Sequence, residues 1–330
     1  DLIYLAPPFN SAATYNVLFK ASDGKPSESQ IEAFEDSWHW GDAAAAAYDQ
    51  VLTQVTHTDA ATMLRGIVTA LGKNDMTAYL SMMAVRLIEL HRVLKPTGSL
   101  YLHCDPTASH YLKVLLDSIF GAENFQAEII WRRTTARLAS RRWPRLHDTI
   151  LHFAKNGEVA NFHPQKIVLD DVWLARKYRY EDERGRFMLA DLTGAGLRNG
   201  ETGKEWRGVN PASIGAGRHW RYPPTKLEQL QAEGMIYWPP RGRFPMLKHY
   251  LDLEKSGTMV GDLWMDLHVP GRTASERLGY PTQKPLALLE CIIAASPNPG
   301  DLVLDPFCGC GTAIHAAEKL GRRWIGIDIT

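Results

Sequence analysis

The sequence contains little cysteine and no long apolar run. Four cysteines among 330 residues are too few for a disulfide-stabilised scaffold and are typical of a reducing compartment. No run of about 18 apolar residues occurs, which argues against a membrane-spanning helix. The content of 45% hydrophobic and 22% charged residues is that of a folded chain. The length allows two domains, or one α/β core with a large insertion.

The sequence has no net charge of either sign, since its formal net charge is +0 at pH 7. The charges are nevertheless unevenly distributed. Residues 131–250 contain 22 basic and 12 acidic side chains, whereas the rest of the chain contains 15 basic and 25 acidic ones. The basic stretch holds six of the ten tryptophans, which is not expected of a disordered tail. We therefore predict a folded segment that binds an anionic partner.

Strand and helix signals alternate in the first and last parts of the chain, which predicts a parallel or mixed sheet covered by helices. The expected strands are residues 1–5, 99–104, 128–131, 149–153, 302–305 and 324–328, and the expected helices are 28–71, 76–94, 109–120, 286–295 and 312–320. Residues 11–27 are polar and turn-rich, which predicts a loop.

Between about residues 156 and 270 the alternation fails, and one short helix ending before Gly234 is expected there. The expected segments are therefore 1–155, 156–270 and 271–330. Both ends of the sequence fall against an expected buried strand. Natural chains rarely end in this way, and we expect a fragment of a longer protein.

A glycine-containing loop lies between the expected strand and helix near the C-terminal end, with the sequence Asp305-Pro-Phe-Cys-Gly-Cys-Gly-Thr312. Gly309 and Gly311 allow a tight turn and a close approach of a ligand to the backbone. Asp328 ends the next expected strand, where an acidic residue is placed to accept hydrogen bonds from ribose hydroxyls. The loop lacks the Lys-Ser/Thr of a P-loop and a third glycine. This pattern favours a nucleoside ligand without phosphates, such as S-adenosylmethionine.

Two shorter motifs lie in turns that follow expected strands. Cys308 and Cys310 form a C-x-C without a second cysteine pair or a nearby histidine pair, so no metal site is expected.

Pro7-Pro8-Phe9 follows the first expected strand. The prolines make the turn rigid and direct a backbone carbonyl and the Phe9 ring outward from the carboxyl edge of the sheet, where ligands bind in open α/β folds.

Together these motifs resemble the β class of DNA amino-methyltransferases. The order is the Pro-Pro-Phe element after Ala6, then the basic segment, then Tyr280-Pro-Thr-Gln-Lys-Pro285, then the 305–312 loop and Asp328. The resemblance implies a Rossmann-like, S-adenosylmethionine-dependent methyltransferase sheet in permuted order, with an inserted target-recognition lobe. It implies that 1–155 is the catalytic half of the core, 156–270 the DNA-binding lobe and 271–330 the cofactor-binding half.

The resemblance also implies roles for individual residues. The catalytic element is Ala6, Pro7, Pro8 and Phe9. The cofactor-binding residues are Thr282, Lys284, Asp305, Phe307, Gly309, Gly311, Thr312 and Asp328. The cofactor is S-adenosylmethionine, with Tyr280–Pro285 covering its methionine end.

The chain departs from the family at Ala6, because the family has Asp, Asn or Ser at this position. There the side chain accepts a hydrogen of the exocyclic amine of a base flipped out of the duplex, and Phe9 is implied to stack on that base. Loss of such a group costs on the order of 10²–10⁴-fold in rate. We expect an adenine-N6 methyltransferase inactivated at residue 6. The alternatives are a DNA-binding specificity module without chemistry, a cytosine-N4 enzyme and an RNA methyltransferase.

The expected partner is double-stranded DNA. Six arginines occur within 15 residues, and arginine suits bidentate contacts with phosphate and guanine. The expected DNA-binding residues are Arg132, Arg133, Arg137, Arg141, Arg142, Arg145, Arg221 and Arg241. The resemblance further implies a bacterial, cytoplasmic, nucleoid-associated protein, and a homodimer is one assembly that it allows.

Overall fold

The computed structural model describes residues 1–8, 13–16, 32–36, 38–135, 143–167, 171–214, 217–240, 244–252, 258–265, 267, 278, 280 and 282–328. The chain divides into two compact units. The first comprises Asp1–Gln165 and Val260–Thr330, and the second comprises Lys166–Met259. Residues 156–165 and 260–265, which the sequence pattern placed in the central lobe, thus group with the first unit.

The secondary structure elements are numbered here in chain order. The strands are β1 Leu2–Leu5, β2 Ala13–Asn16, β3 Glu32–Asp36, β4 Ser99–Cys104, β5 Phe125–Arg132, β6 His147–Ala154, β7 Lys166–Ile167, β8 Tyr180–Asp182, β9 Gly185–Asp191, β10 Thr193–Ala195, β11 Arg218–Trp220, β12 Ile236–Tyr237, β13 Met246–Tyr250, β14 Thr258–Met259, β15 Leu263–Trp264, β16 Leu302–Asp305 and β17 Arg323–Gly326. The α-helices are α1 Asp42–Leu52, α2 Thr58–Leu71, α3 Asp75–Val93, α4 Ser109–Phe120, α5 Asp171–Lys177, α6 Pro224–Ala232, α7 Leu286–Ala295 and α8 Thr312–Lys319.

The described residues of the first unit form a seven-stranded sheet in the order β15-β5-β6-β4-β1-β16-β17. β6 runs antiparallel to β4 and β5, and the other neighbouring pairs are parallel. The expected α/β fold with a mixed sheet is confirmed. Since β1 and β16 are neighbours, the first strand of the chain lies beside a strand from the far end of the sequence.

Helices cover both faces of this sheet. Ile3 and Leu5 of β1 belong to a core cluster with buried residues of α1 to α4, whereas Leu2 and Tyr4 belong to a cluster with α7 and α8. Alternate side chains of a strand point to opposite faces, so β1 is buried on both sides, as expected of a strand inside a parallel region. All four of its side chains are buried.

α3, the longest helix among the described residues, begins at a reciprocal cap and matches the helix expected over 76–94 within one residue at each end. The Asn74 side chain accepts a hydrogen bond from the Thr77 backbone N–H, and the Thr77 hydroxyl accepts one from the Asn74 N–H. This reciprocal capping box satisfies N–H groups that have no partner within the helix. The expected helices at 109–120, 286–295 and 312–320 also correspond to α4, α7 and α8.

Two expectations near the N-terminus are wrong. The helix expected over 28–71 is interrupted, because the structure has β3 there, followed by α1 and α2 as separate helices. The loop expected over 11–27 contains β2. β2 and β3 pair antiparallel, with Tyr15 opposite Phe34. Their strand conformation depends on this pairing across the chain, and no local pattern reveals it.

The second unit is built mainly from antiparallel strands. Its four-stranded sheet has the order β12-β13-β9-β8, and β10 pairs with β11 and β7 with β14. Trp206, Trp220 and Leu227 belong to a separate buried cluster. The short helix expected before Gly234 is α6, and Gly234 has a φ of +71°. Within the described residues of the chain, no helix is long and apolar enough to cross a bilayer.

Candidate functional site

Two motifs from opposite ends of the sequence line one cavity in the first unit. β1 and β16 are parallel neighbours, with Leu2 opposite Val303, so the segments that follow them leave the same edge of the sheet. A cavity of about 530 Å³ is lined by Ala6, Pro7 and Pro8 and by residues 305–310 and 312. This volume is within the range of small-molecule sites, and its place at the carboxyl edge is where ligands bind in open α/β sheets.

The turn before α8 requires its glycines. Gly309 has a φ of +50° and Gly311, the N-cap of α8, a φ of +80°. These values lie in the left-handed region, which costs other residues roughly 1–2 kcal/mol. A Cβ on Gly309 would also lie 3.1 Å from the Tyr280 ring. The loop is held by the Gly311 N–H, which donates to the Cys308 carbonyl at 2.8 Å.

Two carboxylates border this turn. Asp305 is buried, and its Oδ1 accepts a hydrogen bond from the Phe307 N–H at 3.0 Å. Burial raises the pKa of Asp305 to about 7, and the nearby Asp328 contributes. Asp328 is exposed and its Oδ2 accepts from the Gly309 N–H at 2.7 Å. The cavity therefore has one carboxyl group that titrates near neutrality and one that faces solvent.

Residues just before α7 form another part of the cavity lining. Tyr280, Thr282 and Lys284 all contribute to it. Burial lowers the pKa of Lys284 to about 8, and the negative charge of Asp148 opposes this shift. Burial raises the pKa of Tyr280 to about 12. The cavity thus contains one amine that is partly neutral at mildly alkaline pH and a phenol that remains protonated.

All the described residues that the sequence analysis assigned to the cofactor, apart from Gly311, line this cavity. Phe9 lies outside the described residues. Cys308 also lines the cavity, and burial raises the pKa of its thiol to about 11. It is therefore a protonated thiol at neutral pH, which is a poor metal ligand and nucleophile.

Several lining residues were not foreseen from the sequence. They include Tyr4, Trp38, Arg86, Glu89 and Leu90. Arg86, Glu89 and Leu90 follow the i, i+3, i+4 spacing that places side chains on one helix face. Arg86 and Glu89 are two charged residues on the same face of a mostly buried helix. This pattern in the sequence could have predicted that α3 contributes polar side chains to a site.

Three of the expected DNA-binding arginines lie at the hairpin between β5 and β6. β5 is parallel to β1 across the sheet, so this hairpin leaves the same edge as the cavity. The Arg132 Nη2 donates to the Met265 carbonyl at 2.7 Å. The Arg145 Nη1 donates to Thr107 Oγ1 at 2.8 Å, and Arg133 Nη1 lies 3.6 Å from Asp148 Oδ1.

These contacts leave the guanidinium groups accessible. The side chains of Arg133 and Arg145 are 45% and 67% exposed. Arg221 belongs to the second unit, where its Nε donates to the Thr193 carbonyl at 3.1 Å. The other expected arginines, Arg137, Arg141, Arg142 and Arg241, lie outside the described residues.

The chain is similar to several known proteins. The chain is 39% identical to the type II methyltransferase M.EcaI of Enterobacter cloacae, over 76% of this chain and 54% of that protein. It is 26% identical to the Mod subunit of the type III restriction-modification enzyme StyLTI of Salmonella typhimurium, over 98% and 47%. It is 23% identical to the DNA adenine methyltransferase YhdJ of Escherichia coli, over 74% and 60%.

Among solved structures, the crystal structure of an M1.HpyAVI–SAM complex matches with a TM-score of 0.36 and 16% identity, over 99% of this chain and 82% of that chain. The chain spans about half the length of the curated relatives that it matches. The profile of the N6_N4_Mtase family, described as DNA methylase, matches residues 1–330. The chain therefore belongs to the N6_N4_Mtase family of DNA methylases.

Proposed function

We propose that this chain is the methyltransferase core of a DNA-modifying protein and that its acceptor is the exocyclic N6 amine of adenine. The observation that carries the proposal is the cavity shared by the Pro-Pro turn after β1 and the glycine turn before α8. The name of the relative YhdJ, a DNA adenine methyltransferase, favours adenine. The restriction-modification relatives favour a role in marking specific DNA sites.

The cavity suits S-adenosylmethionine. Gly309 lines the cavity without a side chain, so a ligand could approach its backbone closely. The carboxylate of Asp328 would accept hydrogen bonds from ribose hydroxyls, and the carboxyl group of Asp305 would face the α-ammonium group of the methionine moiety. When bound, the cofactor supplies an electrophilic methyl group on a sulfonium. The remaining expected residues, Phe307, Thr312, Thr282 and Lys284, would enclose it.

The acceptor base would enter beside the Pro-Pro turn. Its exocyclic nitrogen has a lone pair that is delocalised into the ring, so the protein must hold the amine hydrogens and direct the nitrogen. A backbone carbonyl at residue 6 or Pro7 would accept one hydrogen. Ala6 has no side-chain acceptor for the second. We therefore propose that the reaction is slow in this chain, and that the base is flipped from the duplex to reach the cavity.

The recognition of DNA is assigned to two basic regions. Residues 131–165 contain seven basic and two acidic side chains, and they include the hairpin at the cavity edge. Residues 166–250 of the second unit contain 15 basic and 10 acidic ones. The second unit is proposed to read the target sequence. Association with the nucleoid and a homodimer remain parts of this proposal.

The test measures transfer of a labelled methyl group from S-adenosylmethionine to genomic DNA from a methylation-deficient host, using the complete protein. Ala6→Asp should raise the rate by about 10²–10⁴-fold, because it restores an acceptor for the amine hydrogen. Ala6→Leu, which adds bulk without an acceptor, is the matched control. Equal rates for the two variants would refute the assignment. Digestion of the product identifies N6-methyladenine, or N4-methylcytosine if the base is cytosine, and RNA is offered in a parallel reaction.

Ala6 itself favours a second candidate, a DNA-binding specificity module without chemistry. The two candidates differ in cofactor binding. Isothermal titration calorimetry with S-adenosylmethionine should give a measurable heat if the chain is a methyltransferase core. A chain that binds DNA fragments tightly but gives no heat with the cofactor would be the binding module.

A further inference from the structure

A chain of hydrogen bonds runs from Tyr4, which lines the cavity, through three neighbouring strands. The Tyr4 hydroxyl of β1 lies 2.9 Å from Nδ1 of His103 on β4. The Nε2 of His103 lies 3.2 Å from Oδ2 of Asp148 on β6. The three residues are 2%, 0% and 1% exposed. Burying polar groups in this way costs free energy unless each of them has a hydrogen-bond partner. Which atom donates and which accepts in each bond therefore matters.

The ionisation states fix these hydrogens. Burial alone would raise the pKa of Asp148, but the hydrogen bond from His103 and the charges of Lys284 and Arg133 bring it below its usual value. Burial lowers the pKa of His103 to about 4, with Lys284 contributing, while Asp148 opposes the shift. Burial also raises the pKa of Tyr4 well above its usual value. At neutral pH the chain is a carboxylate, a neutral imidazole and a phenol.

One arrangement of hydrogens satisfies all three groups. A carboxylate can only accept, so His103 carries its hydrogen on Nε2 and donates it to Asp148. The Nδ1 of a neutral imidazole then accepts, and Tyr4 donates its hydroxyl hydrogen to it. With that hydrogen engaged, the Tyr4 oxygen can only accept from a further partner. The Asp148 carboxylate thus determines, through His103, that the Tyr4 hydroxyl donates to the imidazole and that its oxygen is left as an acceptor.

Tyr4 lies beside the residue that lacks an acceptor. Tyr4 and Ala6 are two positions apart and so share one face of β1 and its extension, and both line the cavity. Tyr4 is paired with Tyr101 on β4, yet its hydroxyl bonds to His103, two residues further along β4. The phenol therefore leans toward the carboxyl edge, where the cavity opens.

From this geometry we infer that Tyr4 positions the acceptor base in this chain: its oxygen takes a hydrogen of the exocyclic amine beside Ala6, and His103 and Asp148 are positioning residues that make the phenol an acceptor. The inference rests on the proposed function and deepens it. A side-chain acceptor at residue 6 would make this contact redundant. In this chain Tyr4 partly replaces the missing group.

The experiment is a double-mutant cycle between residues 4 and 6, with methyl transfer to unmethylated genomic DNA as the readout. Tyr4→Phe removes the hydroxyl and keeps the ring. We expect it to lower the rate of the chain with Ala6 by about tenfold, the value of one buried hydrogen bond. In the Ala6→Asp background the same change should lower the rate less than threefold. A purely structural role of Tyr4 would reduce both rates equally.

Tyr101→Phe is the matched control. Tyr101 is also buried, at 2% exposed, and its hydroxyl bonds to Ser296 Oγ at 2.7 Å. The Tyr101→Phe variant thus loses an internal hydrogen bond comparable to that of Tyr4, but Tyr101 does not line the cavity. We expect Tyr101→Phe to change the rate equally in both backgrounds. Thermal unfolding of each variant monitors the fold.

Asp148→Asn gives a second test, in which no residue of the cavity lining is replaced. An asparagine can accept from Nε2 through its Oδ1 or donate to it through its amide, and in the second arrangement the imidazole hydrogen moves to Nδ1 and is donated to Tyr4. The ¹⁵N shifts of His103 identify the tautomer, and a variant with the hydrogen on Nδ1 should reproduce the effect of Tyr4→Phe with Ala6 present.

The outcomes separate the inference from the proposed function. No transfer by either the protein with Ala6 or the Ala6→Asp variant overturns the proposed function, and the inference with it. Transfer by the Ala6→Asp variant alone, or equal losses from Tyr4→Phe in the two backgrounds, overturns the inference and leaves the function standing. A loss of rate in the Asp148→Asn variant without a change in the His103 tautomer also overturns the inference.

Discussion

The backbone N–H of Gly309 donates a hydrogen bond to Asp328 Oδ2 at 2.7 Å, across 19 residues of sequence. This bond ties the turn before α8 to the segment that follows β17. The carboxylate thus has a role in shaping the turn as well as the proposed role in binding ribose.

Asp328→Ala should weaken binding of S-adenosylmethionine by about 10–100-fold, because hydrogen bonds to a charged group contribute about 1.5–3 kcal/mol. Isothermal titration calorimetry measures this change. Asp301→Ala is the control, since Asp301 Oδ2 accepts from the Asn298 N–H at the opposite end of β16. Equal affinities for the two variants would contradict the assignment of Asp328 to the cofactor.

Alanine at the two glycines of the turn should have unequal effects. Both substitutions place a side chain in the left-handed region, at a cost of about 1–2 kcal/mol. Gly309→Ala adds a contact of 3.1 Å with the Tyr280 ring, whereas the nearest atom to a Cβ on Gly311 is 3.9 Å away. We expect Gly309→Ala to lower both the melting temperature and the cofactor affinity more. The reverse order would show that the turn is not shaped as described.

Arg145 should contribute to the salt dependence of DNA binding. Each phosphate contact adds about 0.9 to the slope of log K against log salt concentration. Arg145→Gln should therefore reduce this slope by about one, measured by fluorescence anisotropy with a labelled duplex. Arg65→Gln on the exposed side of α2 is the control and should leave the slope unchanged. An unaltered slope for Arg145→Gln would remove the hairpin from the DNA interface.

Stability should fall as the pH decreases from about 6.5 toward 4. Burial lowers the pKa values of His91 and His103 to about 4 and that of His152 to about 3. In this window the unfolded chain binds three protons that the folded chain does not. Asp305 acts in the opposite sense, because burial raises its pKa to about 7 and the folded state keeps its proton.

The net difference is about two protons near pH 5, so the free energy of unfolding should decrease by about 3 kcal/mol per pH unit there. Urea denaturation at pH 7, 6 and 5 measures it. His152→Phe should reduce the slope by about 1.4 kcal/mol per pH unit. A stability that does not change between pH 7 and pH 5 would show that these histidines are not buried in the neutral form.

Local signals predict a large part of the core. α3 is foreseen because its cap, its apolar face and its terminating Pro-Thr-Gly are all close together in sequence. β16, its glycine turn and α8 are foreseen for the same reason. The expected strand at 324–328 begins one residue earlier and ends at Gly326, which leaves Asp328 beyond the strand rather than at its tip.

The remaining features depend on pairings between distant segments. β15 has two residues and joins the sheet through its pairing with β5, so its sequence gives little signal. The chain from Tyr4 through His103 to Asp148 requires the order of three strands to be known. Tryptophan illustrates the same limit, because Trp131 is fully buried and Trp143 is 96% exposed although both lie in one arginine-rich stretch.

The main chain leaves the first unit at Gln165 and re-enters at Val260, and the Val260 N–H donates to the Gln165 carbonyl at 2.9 Å. The 94 residues of the second unit are thus inserted between two positions that are already held together. A different insert with closely spaced ends would meet the same geometric requirement, and the seven-stranded sheet would not need to change. If the proposed functions of the two units hold, specificity can evolve by exchange of the inserted unit alone.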